Sequence, residues 1–257
     1  MENIIADIEK ELKANIDEKY KKTEARLFKE GRKVYGVRTP LARNIGKKYW
    51  KLIQNRDKKN VFGLCEKLLG TGFHEPLTIA FRWALNSRKN FEVSDFEIFE
   101  KWLEKYVNNW SACDDICSGP LGFLIFDFPG LLPKVFGWGK NKNRWFRRAS
   151  AVCLIPSLRR GKYLENGFKT ADALIGDKDD LVQKGYGWML KEASNKFQKE
   201  VFDYVMENKT KLDTGFSWKP TSVGFVSPVG VVPLMSRIAL RYAIEKMPED
   251  MRQRAMK

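Results

Sequence analysis

The sequence predicts an all-α fold. Apolar residues recur at helical spacing along most of the 257 residues, separated by short polar or Gly/Pro breaks. Alternating strand-like patterns are nearly absent before residue 215. Trp110, Arg148 and Trp188 recur at intervals of 38 and 40 residues, each in a locally polar stretch of helical pattern. About 40 residues is the length of a two-helix unit of HEAT type, and such units stack into a solenoid with a long concave face. The expected architecture is therefore a curved solenoid of HEAT-like antiparallel helical repeats, an ARM/HEAT superhelix. A single domain over residues 1–257 is expected.

Each element has its own local reason. Ile4, Ile8, Leu12 and Ile16 form an apolar stripe within a helical stretch over residues 2–30. Thr39-Pro40 places a cap and then proline at the first helical position, opening a helix through Leu52. Residues 61–69 and 75–86 follow as helices. Ser94 with Glu97 three residues on is a capping-box signature for a helix ending near Asn109. Further helices are expected over 111–118, 120–127, 143–156, 162–175, 179–194, 196–208 and 236–247. Residues 210–234 break the pattern: three Pro, three Gly and several Val exclude a long helix. This segment reads as an inserted or poorly ordered loop.

Composition narrows the chemistry. Hydrophobic residues make up 43% and aromatics 13%, enough for a sizeable core and too many for a disordered chain. No apolar stretch approaches the roughly 18 residues of a membrane span, and the charged N-terminus does not read as a signal peptide. Four Cys in a chain of this length are no disulfide framework. A cytoplasmic monomer is the expectation. The one His, His74, cannot build an HExxH zinc motif, and Cys113 and Cys117 are four apart with no second ligand pair nearby. No metal or cofactor is expected, so any enzyme here works with carboxylates, aromatics and cations.

The formal charge is +15, from 47 Lys plus Arg against 32 Asp plus Glu. Such a charge attracts polyanions. It is also uneven. The 37 residues from Phe128 to Leu164 hold no acid and nine cations: Lys134, Lys140, Lys142, Arg144, Arg147, Arg148, Arg159, Arg160 and Lys162. Trp138 and Trp145 interleave with them. Basic side chains neutralise phosphates and aromatics offer stacking surface, so the stretch reads as a nucleic-acid footprint; a solvated basic helix face over two core Trp is the other reading. Arg38, Arg43 and Lys47 belong to a second cluster, with Arg43 and Lys47 on one helix face. Arg237 and Arg241 form a third, again four apart.

Asn109-Trp110-Ser111-Ala112-Cys113-Asp114-Asp115 joins an aromatic to a carboxylate. Trp110 and Asp114 stand four apart, so a helix presents them on one side. By spacing alone the pair reads either as a site or as a buried Trp beside a helix-terminal Asp.

The motifs together resemble the DNA alkylation repair family, the AlkD-like DNA glycosylases. They are Asn-Trp-x-x-x-Asp at 109–114, Arg-Trp-Phe-Arg-Arg-Ala-Ser-Ala-Val at 144–152 and Val-Gln-Lys-Gly-Tyr-Gly-Trp at 182–188. Tyr-Gly-Val-Arg-Thr-Pro at 35–40 resembles the family's N-terminal motif, and Arg-Ile-Ala-Leu-Arg-Tyr-Ala at 237–243 its C-terminal one. The resemblance covers nearly the whole chain; residues 210–234 have no clear counterpart in it.

The resemblance implies a hydrolase that excises cationic alkylated purines, 3-methyladenine and 7-methylguanine, from double-stranded DNA in base excision repair. By it Asp114 matches the catalytic carboxylate, although the adjacent Asp115 allows a slip of one residue. Trp110 and Trp188 match aromatics that embrace the damaged nucleotide's sugar. Arg148 matches a residue that holds the DNA backbone, with Arg147, Arg144, Arg38, Arg43, Lys47, Lys184, Arg237 and Arg241 as further DNA-binding candidates. The alternative is a non-catalytic DNA-binding paralogue on the same repeats.

Overall fold

The computed structural model describes residues 3–28, 31–209 and 235–257. Residues 210–234, expected as an inserted loop, lie outside the described residues. The all-α expectation holds, since every regular element among the described residues is helical. None of these helices is long and apolar enough to cross a membrane by itself. The chain packs as two compact units, Met1–Leu131 and Leu132–Lys257.

In the first unit, α1 (Asn3–Ala14) turns Ile8 and Leu12 inward. The expected helix over 2–30 is broken because the Asp17 carboxylate accepts the Tyr20 N–H at 2.9 Å and starts a new helix, α2 (Glu18–Leu27). An extended stretch leads to α3 (Thr39–Leu52), with Pro40 in its first turn. The cap expected at Thr39 does not form, because the helix starts one residue earlier, at Thr39 itself, after Arg38, which makes no side-chain capping bond. Asp57 caps α4 (Lys58–Gly70) through the Asn60 N–H at 2.8 Å. Next comes α5 (His74–Asn86), buried on nearly every side and packed against α3 and α4. It is the central helix of this unit.

The capping box expected at Ser94 does not form. Ser94 has helical dihedrals and no capping bond; instead Asp95 accepts the Glu92 N–H at 2.8 Å and pairs with Lys58 at 3.1 Å. The helix it opens, α6 (Asp95–Tyr106), stops short of Asn109 because Asn109 caps the next one, α7 (Trp110–Cys117). Short α8 (Pro120–Asp127) closes the unit against α5, α6 and α7. Phe62, Phe91, Phe99 and Trp102 fill the space between α4 and α6, with ring centroids 5.3–6.4 Å apart in tilted and edge-on pairs.

The second unit opens with α9 (Leu132–Gly137), which the Pro/Gly-rich sequence around it concealed. The expected helix 143–156 is two: α10 (Arg144–Val152) and the single turn α11 (Ile155–Leu158), with Pro156 inside the first turn of the latter. Next come α12 (Leu164–Leu174) and α13 (Asp180–Ala193). Asp179 caps α13, its carboxylate accepting the Leu181 N–H at 2.9 Å. Beyond it are α14 (Gln198–Lys209), α15 (Arg237–Ile244) and the unanticipated α16 (Glu249–Met256). Here α13 is central and touches α10, α12 and α15. Gly187 allows the α13–α15 approach: a Cβ there meets the Ala239 carbonyl oxygen and Tyr242 Cβ, both at 2.8 Å.

Candidate functional site

Asn109 sets the position of α7. Its backbone is extended, its side chain is buried, and its Oδ1 accepts the Ala112 N–H at 3.0 Å. The helix therefore begins at Trp110, and Trp110 and Asp114 lie one turn apart on the same side. Both are half-buried. The Trp110 indole stacks on Phe28 with centroids 4.8 Å apart and an 11° tilt. On the Phe28 ring sits the Arg32 guanidinium, 3.6 Å from the centroid. Arg32 in turn pairs with Glu24. Burial pulls the Arg32 guanidinium down to about 10, still fully charged at neutral pH.

Asp115, next to Asp114 on α7, is held by two neighbours. Asp115 Oδ2 accepts the Thr78 hydroxyl at 2.9 Å, and Arg43 stands 3.9 Å from Oδ1. Burial raises the pKa of Asp115, partly offset by the Thr78 bond and by Arg43. The backbone carbonyl of Asp114 accepts both the N–H and the hydroxyl of Ser118, at 2.8 and 2.6 Å, closing the last turn of α7.

In the second unit Trp188 is half-buried on α13. Its indole N–H donates to Glu192 Oε1 at 3.2 Å, one helical turn on. Glu192 is only 5% exposed. Arg159 Nε donates to its Oε2 at 2.8 Å and Lys246 Nζ to its Oε1 at 3.0 Å. Burial alone raises the pKa of this carboxyl, but the Arg159 and Lys246 bonds outweigh it and hold the group at about 2. The sequence reading missed Glu192, although a carboxylate four residues after Trp188 was a usable signal.

The folded pKa of Glu192 lies below its ordinary 4.5. Ionised Glu192 therefore stabilises the fold above about pH 4.5, and that contribution fades as pH falls towards 2. The shift corresponds to about 3 kcal/mol at neutral pH. Urea midpoints of the wild type are expected to drop more steeply between pH 5 and pH 3 than those of Glu192→Gln.

The basic candidates divide by partner. Arg144 pairs with Asp179 at 2.7 Å, Arg147 with Asp177 at 2.6 Å and Lys184 with Asp180 at 2.7 Å. Arg147 also donates to the Asn141 and Lys142 carbonyls. The acid-free stretch is thus partly neutralised by the acids that precede and open α13. Arg148 is only 5% exposed and donates to the Leu181 carbonyl, tying α10 to the first turn of α13. Arg38 is exposed and pairs with Asp17 at 2.9 Å. Lys47 on α3 and Arg237 and Arg241 on α15 are exposed and form no ion pair among the described residues. Nor is any group of three or more His, Cys, Asp or Glu among the described residues placed to hold a metal ion.

Residues 8–247 match the family model described as DNA alkylation repair enzyme. None of the curated proteins matches the sequence. Among solved structures, the chain resembles a predicted DNA alkylation repair enzyme from Enterococcus faecalis, with a TM-score of 0.66 and 15% identity over 96% of each chain. At that identity the likeness speaks for the fold, an α-helical repeat. The family match spans nearly the full length and includes every candidate residue described above, so the chain belongs to the DNA alkylation repair enzyme family.

Proposed function

We propose that the chain is a DNA glycosylase that releases cationic alkylated purines, 3-methyladenine and 7-methylguanine, from double-stranded DNA. The observation that carries this reading is the arrangement on α7: Asn109 starts the helix so that Trp110 and Asp114 share one side.

Alkylation at N3 or N7 makes the purine a cation and a good leaving group, so no strong general acid is needed. Its departure leaves an oxocarbenium-like sugar, the type of cation that carboxylates stabilise in glycoside hydrolysis. In this reading Asp114 stabilises that cation and positions the attacking water. Trp110 and Trp188 each offer an aromatic face to the sugar, worth roughly 0.5–2 kcal/mol in cation–π attraction. Lys47, Arg237 and Arg241 are the cations readiest for phosphate. Arg43, Arg38, Arg144, Arg147 and Lys184 exchange a carboxylate for a phosphate on binding. Arg148 enters through its hold on α13, the helix that carries Trp188.

The test is release of free base from methylated duplex DNA by the wild-type protein. Both 7-methylguanine and 3-methyladenine are expected to appear in the soluble fraction, and unmethylated DNA is expected to release neither guanine nor adenine. Tight duplex binding without base release defeats the glycosylase reading in favour of a DNA-binding paralogue.

A further inference from the structure

The α5–α7 contact is a two-by-two arrangement of side chains. His74 and Thr78 lie one turn apart on α5, and Ser111 and Asp115 one turn apart on α7. His74 Nε2 lies 3.4 Å from the Ser111 hydroxyl and 3.5 Å from that of Thr78. The Thr78 hydroxyl is 2.9 Å from Asp115 Oδ2. On α7, residues 111 and 115 immediately follow 110 and 114. The helix is therefore gripped along one edge and presents Trp110 and Asp114 along the neighbouring one.

The neighbouring hydroxyls favour one form of the imidazole. A hydroxyl has one hydrogen, and Thr78 gives it to the Asp115 carboxylate. Toward His74 it can only accept; a bare Nε2 would be served by Ser111 alone and would face the Thr78 lone pairs, whereas an Nε2–H meets acceptors in both hydroxyls. Nδ1 is then a bare acceptor. It is buried without a hydrogen-bond partner, in a residue only 8% exposed, and His74 borders a small cavity with about 10 Å³ of room for a water centre. Arg32 lines the same cavity, and its Nε–H is likewise buried and unpartnered. One is an acceptor and the other a donor, the two kinds of partner that a shared water needs. Burial, with Arg32 and Arg43 nearby, pulls the imidazole pKa down to about 3, which keeps the ring neutral at pH 7.

We propose that His74 is a positioning residue for α7: as the neutral Nε2–H tautomer it ties α5 to Ser111, accepts a water shared with Arg32 at Nδ1, and so holds Trp110 and Asp114 in place. Its catalytic consequence rests on the glycosylase reading above; its tautomer and its hold on α7 do not.

The test has two arms. The chain has one histidine, so ¹⁵N spectra of the labelled full-length protein at pH 7 show a single imidazole. The expected pattern is a protonated Nε2 and a bare Nδ1. An Nδ1–H tautomer or a doubly protonated ring overturns the proposal. In the second arm, His74→Gln places an amide donor near the Nε2 position, while His74→Asn, being shorter, and His74→Leu do not. Amide exchange over residues 110–115 is expected to quicken in the Asn and Leu variants and to stay near wild type in Gln. Unchanged exchange in all three overturns the positioning role, whether or not the protein excises bases. In base release, kcat is expected to fall roughly tenfold to a hundredfold in the Asn and Leu variants with little change in KM, the signature of a misplaced reacting group. Wild-type kcat in folded His74→Asn overturns the catalytic consequence. A wild-type protein that releases no base while the ring is Nε2–H and the exchange pattern holds defeats the glycosylase reading alone.

Discussion

Asp114→Asn is expected to slow release of 7-methylguanine from duplex DNA by about 100-fold or more, the scale of losing one preorganised electrostatic contact to a developing charge. The substitution changes one oxygen to an amide nitrogen and removes the negative charge. The Asp114 backbone carbonyl that accepts from Ser118 is untouched, so α7 keeps its last turn. The charge matters most when the sugar becomes cationic, which happens only near the transition state. The loss is therefore expected in kcat, with KM and duplex affinity little changed. Single-turnover release alongside a binding titration separates the two. Asp115→Asn is the internal control. It weakens the bond to Thr78 and the attraction to Arg43, and its effect is expected to be the smaller of the two. The reverse order would move the catalytic role one residue along the helix.

The features legible in the sequence were local ones. Pro40 in a first turn and the four-residue step from Trp110 to Asp114 depend only on neighbours along the chain, and both stand in the structure. The break before Pro156 was missed, since the helix expected over 143–156 ran through it, although proline cannot donate to a continuing helix. What was not legible depends on residues 30 or more positions away. The stretch 128–164 reads as unopposed positive charge until Asp177 and Asp179, next to α13, are brought onto Arg147 and Arg144. Arg148 reads as a surface cation because arginine is rarely buried, yet packing sets it against Leu181 and Gly185. Phe28 was one apolar residue among many until the end of α2 laid it on Trp110.

The Tyr-Gly-Val-Arg-Thr-Pro motif, met in the sequence as a family signature, has a structural reason that leads to the largest expected loss of stability. Glu75, 4% exposed in the first turn of α5, accepts three backbone N–H groups from this segment. Oε1 takes Gly36 at 2.8 Å and Val37 at 3.0 Å, while Oε2 takes Tyr35 at 3.1 Å. Gly36 has φ near +100°, and a Cβ there would stand 2.7 Å from Lys21 Cβ, so the turn admits only glycine comfortably. Glu75→Ala removes the acceptor and leaves three buried donors unpaired, at about 1–3 kcal/mol each. A loss of roughly 3–6 kcal/mol is expected, lowering the melting temperature by about 10–20 °C. Glu75→Gln discriminates further. Its amide oxygen can keep the Gly36 and Val37 bonds, but its NH₂ then faces the Tyr35 N–H, donor against donor. It is therefore expected to fall between wild type and Ala. Equal losses in Ala and Gln would mean that the charge, set against Arg32 nearby, outweighs the hydrogen bonds. Wild-type melting in both would mean that Glu75 does not anchor the segment.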